Sequence, residues 1–163
     1  MLEVTIRPMK IWDLPQILNI ENCSFPAPWS YRAFVSELNN SHGVYFVALI
    51  GEIIVGYAGM WLLPGEAHVT TVAVHPDYRG RKIGRKLMNT LIDFARIRGA
   101  QTMLLEVRPS NLPARKLYHS LGFRQIGLRV NYYVETGEDA IVMLKYLQET
   151  EDCEKPEEQE GLR

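Results

Sequence analysis

The spacing of apolar and polar side chains along the 163-residue chain predicts seven strands and four helices. Alternating or continuous apolar runs fall at residues 2–7, 44–50, 53–63, 67–74, 102–107, 124–133 and 140–147, the patterns of half-buried and fully buried strands. Short turns at Gly51-Glu52 and Pro64-Gly65 fit hairpins joining the second, third and fourth runs. Helical periodicity appears in Leu14, Ile17, Leu18 and Glu21, and again in Ala33, Phe34 and Leu38 behind the N-cap candidate Ser30. It is clearest in Ile83, Leu87, Leu91, Phe94 and Ala95, with Gly99 as the stop. A fourth helix starts at an Asn111 N-cap, passes through Pro113, Leu117 and Tyr118 to Leu121, and ends at Gly122. The order βααβββαβαββ predicts an α/β (α+β) fold. Its strand, long helix and strand between residues 69 and 107 form a right-handed crossover that makes mid-sheet strands parallel.

Composition narrows the class. At 47% apolar, a chain of this length buries one real core without disulfides or metal. Cys23 and Cys153 outline neither a disulfide framework nor a zinc site, so no metal and a reducing, cytoplasmic setting are expected. Residues 1–9 lack the apolar stretch of a secretory signal, and no run approaches the roughly 20 apolar residues of a membrane-spanning helix. Residues 148–163 hold seven acidic and two basic residues and are expected to be a solvated, disordered tail. Residues 1–147, with sixteen basic and twelve acidic residues, are expected to form the single folded domain, with a monomer as the default.

One segment carries most of the chemistry. In VTTVAVHPDYRGRKIGRKLMNTLIDFA a strand passes through a short glycine-containing loop into an amphipathic helix, and five of the eight residues from Arg79 to Lys86 are basic. Free N–H groups and the positive dipole end of a helix N-terminus favour a bound phosphate. Neither G-x-x-x-x-G-K-[ST] nor G-x-G-x-x-G is present, which argues against a P-loop NTPase or a Rossmann dehydrogenase. A solvated basic loop or a patch reading nucleic-acid phosphates by charge remains open on this segment alone.

The run V-A-V-H-P-D-Y-R-G-R-K-I-G resembles the acetyl-CoA-binding motif [RQ]-x-x-G-x-[GA] of the GNAT acetyltransferases, with Arg79 at its first position and Gly84 at its last. Lys82 stands where that family usually has its first glycine. The resemblance continues through LLEVRPSNLPARKLYHSLGF to RVNYYVETGEDAIVMLKYL and is nearest to the RimI-type N-alpha-acetyltransferases. It implies a splayed seven-stranded mixed sheet, acetyl-CoA as donor, and a protein N-terminus as acceptor, the N-terminal alanine of a small-subunit ribosomal protein; no nucleic acid or membrane partner is expected. Carried over, the backbone of Val72, Ala73 and Val74 would hold the pantetheine. Arg79, Gly80, Arg81, Lys82, Ile83, Gly84 and Arg85 would hold the pyrophosphate, and Asn111 would be a cofactor contact or merely an N-cap.

The same resemblance implies that Glu106 is the base, often through water, and Tyr118 the acid. An acid near the end of a buried strand is expected to have its pKa raised toward neutrality. The resemblance further implies acceptor contacts from two aromatic segments, residues 25–30 with Phe25 and Trp29, and residues 129–133 with Asn131, Tyr132 and Tyr133; for Trp29 and Tyr132 ordinary core packing stays equally open. Cys23 has no basic neighbour in sequence to activate it and is expected to pack as a small hydrophobe, so direct transfer in a ternary complex is the simpler expectation. His68, His75 and His119 are expected to be structural. The alternatives are a small-amine acetyltransferase acting on a polyamine or drug, and a non-catalytic CoA-sensing or RNA-binding module.

Overall fold

The computed structural model describes residues 3–148. Seven strands form one sheet in the order β1-β2-β3-β4-β5-β7-β6. In chain order the elements are β1 (Val4–Pro8), α1 (Leu14–Ser24), α2 (Tyr31–Leu38), β2 (Gly43–Ile50), β3 (Ile53–Leu63), β4 (Glu66–Val74), α3 (Ile83–Ile97), β5 (Thr102–Val107), α4 (Leu112–Ser120), β6 (Arg124–Tyr133) and β7 (Glu138–Tyr146). This is the predicted order, with two 3-10 turns added at Ile11–Asp13 and Pro76–Tyr78. The last strand begins two residues earlier than its apolar run, because Glu138 pairs with Tyr133 across the hairpin. The acidic segment from residue 149 onward, with Cys153, lies outside the described residues.

The continuous apolar reading of β2 and β3 has a physical cause: both faces of the sheet are covered. Ala48 and Ile50 pack with Leu87, Met88, Leu91 and Ala95 of α3 on one face. Val47 and Leu49, pointing the other way, pack with Leu14, Ile17 and Ile20 of α1 and Phe34 of α2. The helix termini follow the sequence signals: the Ser30 hydroxyl caps the Ala33 N–H, and Gly99 takes a φ of 89° past the end of α3.

At Gly59 of β3, a side chain is sterically excluded. An added Cβ would lie 2.0 Å from the ring of Tyr45, whose hydroxyl hydrogen-bonds to Glu37 and Thr70. Gly59→Val is therefore expected to destabilise the protein by about 3 kcal/mol, or roughly 10 °C in Tm. Thermal unfolding checks this, and an unchanged Tm contradicts it.

Candidate active site

Five of the six neighbouring strand pairs are antiparallel, and the exception builds the site. The parallel pair β4–β5 is in register only at Glu66↔Thr102, Ala67↔Met103 and His68↔Leu104. Beyond that point β4 follows β3 as far as Val74↔Gly56, and β5 follows β7 as far as Val107↔Ile141. The two strands part, and the backbone groups that each turns toward the other lose their ladder partners. Unpaired strand N–H and C=O groups require other partners, so the cleft is built to receive an extended, amide-bearing molecule.

Two cavities open from the parting. The first, about 240 Å³, is walled by Val69, Thr70, Thr71 and Val72 of β4 and by Leu105, Glu106 and Val107 of β5. Phe25, Ala27 and Trp29 from the α1–α2 connection close one side, and Tyr133 and Glu135 another. The second, about 370 Å³, runs between Val72, Ala73 and Val74, the turn bearing Arg79, Gly80 and Gly84, and Pro113, Ala114 and Leu117 of α4. Phe25, Val72, Asn111 and Tyr118 line both. A ligand lying in the second cavity therefore presents its end to the first at Tyr118.

Glu106 faces the first cavity with its side chain only 8% exposed. His68 Nε2 lies 2.8 Å from its Oε1, and Arg129 Nε donates to Oε2 at 3.2 Å. Burial pushes the carboxyl up, but the His68 hydrogen bond, the His68 charge and Arg129 outweigh it and hold Glu106 below its ordinary value. The expected rise toward neutrality is thus corrected: Glu106 is an anion throughout the neutral range. Tyr118 is buried against Phe123, and burial followed by the charge of Tyr133 pushes its phenol up to about 12. Its proton stays on at neutral pH, and no protein group among the described residues hydrogen-bonds to the hydroxyl. Tyr133, stacked beneath the Arg108 guanidinium at 4.0 Å, is likewise pushed up to about 12, chiefly by burial.

The basic turn meets the second cavity through its backbone more than its side chains. Lys82 offers no side-chain cap to α3, so the N–H groups of Ile83, Gly84 and Arg85 have no acceptor among the described residues. Together with Arg79, which is braced on the Val74 carbonyl and the Ser24 hydroxyl, they form an anion cradle at the helix N-terminus. Such a cradle fits a pyrophosphate. The Ile83 side chain is core, Arg81 stacks on Tyr78, and Arg85 donates to Ser120 Oγ at 2.7 Å, so none of these three side chains lines the cavity. Lys82 takes a left-handed φ of 65°, the conformation glycine adopts without cost. Lys82→Gly is expected to stabilise the fold by about 1 kcal/mol. A Tm that stays level or falls would contradict this.

Of the residues singled out in the sequence, Phe25, Trp29, Val72, Glu106, Asn111, Tyr118 and Tyr133 meet around the first cavity. Asn111 is both an N-cap, accepting from the Ala114 N–H at 3.3 Å, and a wall of both cavities. Asn131 and Tyr132 line neither: Asn131 sits at a positive φ with its N–H on Asp139, and Tyr132 packs on Tyr133 half-exposed. Both lie in the stretch between Arg129 and Tyr133 where the β6–β7 register slips. Cys23 is exposed, contrary to the expectation of core packing, and lines neither cavity. Sequence reasoning missed His68 and Glu21. Glu21 had one signal, a carboxylate on the apolar stripe of α1; His68 had none, since its partner Glu106 is 38 residues away.

Among the described residues no helix is long and apolar enough to cross a membrane. The family model described as the acetyltransferase (GNAT) family matches residues 14–123. A putative [ribosomal protein bS18]-alanine N-acetyltransferase of Bacillus subtilis is 35% identical over 142 residues, covering 86% of this chain and 94% of that protein. The crystal structure of the ribosomal-protein-S18-alanine N-acetyltransferase from Escherichia coli superposes with a TM-score of 0.84 at 35% identity, over 91% of this chain and 96% of that one. A putative acetyltransferase from Salmonella typhimurium, solved with its cofactor acetyl-CoA, matches at a TM-score of 0.75 and 27% identity, over 91% and 96% of the two chains.

Proposed function

The chain belongs to the GNAT acetyltransferase family, and on that footing we propose that it transfers acetyl from acetyl-CoA to the N-terminal α-amine of a protein, the N-terminal alanine of a small-subunit ribosomal protein. The observation that carries this reading is the parting of β4 from β5, with Glu106 and Tyr118 on the walls of the joined cavities. Relatives named for acetylating the alanine of ribosomal protein bS18 support the choice of acceptor.

Each residue has a role that fits its surroundings. The unpaired edge of Val72, Ala73 and Val74 suits the amides of the pantetheine arm, and the Arg79–Gly84 turn suits the pyrophosphate. The thioester then lies at Tyr118. A peptide α-amine, with a pKa of about 7.7–8.0, is neutral far more often at pH 7 than a lysine side chain with a pKa of about 10.4. The nitrogen attacks as the neutral amine, so little basicity is asked of the protein. Glu106, fixed as an anion, orients the incoming amine and receives, directly or through water, the proton that nitrogen sheds once bonded to the carbonyl carbon. The Tyr118 hydroxyl donates a hydrogen bond to the departing thiolate, stabilising charge as it builds on sulfur.

Release of free thiol from acetyl-CoA, followed with short peptides beginning in Ala, Ser or Met, with a blocked peptide and with a polyamine, tests the reading. Turnover is expected on the free Ala terminus and not on the blocked one. Turnover confined to the polyamine would overturn the choice of acceptor, and CoA binding without turnover on any amine would overturn the enzyme.

A further inference from the structure

The carboxylate of Glu21 has no part in the chemistry above, yet it stands in the wall of the first cavity and is 2% exposed. It lies in α1 among Leu14, Ile17 and Ile20, where a charge is costly unless its oxygens are hydrogen-bonded. Both are. Oε1 accepts from the Tyr57 hydroxyl and Oε2 accepts from the Trp29 N–H at 2.9 Å. Burial pushes this carboxyl above its ordinary value, against the pull of those two donors.

The two donors sit on very different ground. Tyr57 is fully buried in β3, paired with Val47 on one side and Ala73 on the other. Trp29 belongs to the connection between α1 and α2, which has no helix or strand of its own. Pro26 and Pro28 carry no N–H, and among the described residues the Trp29 N–H to Glu21 bond is the only hydrogen bond made by residues 26–29. Beside the packing of the Phe25 and Trp29 side chains on the core cluster around Phe34, with the Trp29 ring 5.1 Å from that of Phe34, this bond ties the backbone of residues 26–29 to the layer below. Phe25, Ala27 and Trp29 on that segment roof the first cavity.

We propose that Glu21 is a positioning residue for the acceptor: by tethering the Trp29 backbone to the sheet through Tyr57, it sets the size of the first acceptor side chain that the cavity admits. This rests on the first cavity being the acceptor's site. Loss of the tether lets the roof rise, so a small first residue is held less well and a larger one is no longer excluded.

The test compares wild type with the double variant Glu21→Leu/Tyr57→Phe and with Glu21→Gln. The double variant removes carboxylate and hydroxyl together, so no buried polar group is left facing an apolar one across that pair. Glu21→Gln keeps an oxygen for the Trp29 N–H. Steady-state kinetics on peptides beginning in Ala and Met, with CoA affinity and Tm recorded beside them, are the readout. The double variant is expected to raise KM for the Ala peptide about tenfold, to narrow the preference for Ala over Met, and to keep CoA affinity; Glu21→Gln is expected to restore wild-type selectivity. Unchanged KM and selectivity in the double variant, or a Glu21→Gln defect equal to it, would overturn the proposal. Hydrogen exchange at the Trp29 amide of the wild-type protein reads the tether without any variant: protection is expected, and exchange as fast as an unstructured amide would overturn it. A wild type that turns over no peptide instead sinks the acceptor reading, while the exchange measurement still decides the tether.

Discussion

Tyr118→Phe is expected to lower kcat by about 10²–10³-fold while leaving CoA affinity and Tm close to wild type. The ring packs against Phe123 and belongs to the core behind α4, so phenylalanine preserves the packing. Only the hydroxyl is lost, at the point where the two cavities meet. With its phenol pushed up to about 12 by burial and then by Tyr133, the residue keeps its proton through the neutral range. The contribution proposed for it is thus a hydrogen bond that strengthens as sulfur becomes anionic, which would be felt in the transition state and not in donor binding. Single-turnover kinetics beside calorimetric CoA binding separate the two. A normal kcat, or a loss confined to CoA affinity, would remove Tyr118 from the chemistry.

Glu106→Gln is expected to cost about 10²-fold or more in kcat/KM for the peptide, with a pH dependence that identifies what titrates. Because His68 and Arg129 hold the folded carboxyl below its ordinary value against the upward push of burial, Glu106 is already ionised well below neutrality. The acid limb of the wild-type profile is then set by the acceptor's own ammonium, near pH 7.7–8.0, and stays there in the variant. An acid limb that moves with the Glu106 substitution would mean that the carboxyl titrates in catalysis. Stability carries a second signature. A depressed folded pKa stabilises the protein above the unfolded carboxyl's pKa, and that stabilisation is lost as pH falls through the folded value. Wild type should therefore lose more stability than Glu106→Gln on passing down through the ordinary carboxylate range.

Local order was legible in the sequence wherever one segment held the whole signal. The strand entering a basic, glycine-containing turn and then an amphipathic helix is contained between Val69 and Ala95, and α3 stands where its apolar stripe put it. The N-caps Ser30 and Asn111 act within three residues of themselves. The illegible parts depend on which strands lie side by side. The depressed pKa of Glu106 comes from His68 on the preceding strand, 38 residues earlier, and from Arg129 on the far hairpin, so an isolated acid on a buried strand pointed the wrong way. Tyr132 and Tyr133 are adjacent in an aromatic run at a slip in the β6–β7 register, and of the two only Tyr133 lines the cavity. Glu21 is the instructive middle case. Its place on an apolar stripe was visible, but its partners Tyr57 and the Trp29 backbone required the packing of α1 on the sheet.

The most direct measurement of the central claim is the position of the acetyl group on a single peptide that carries both a free N-terminal alanine and an internal lysine. After incubation with the protein and acetyl-CoA, fragmentation by tandem mass spectrometry assigns the added acetyl to one nitrogen or the other. Acetyl on the alanine α-nitrogen, absent without acetyl-CoA and strongly reduced in Tyr118→Phe, is the predicted result; acetyl on the lysine side chain with the α-amine left free would contradict it.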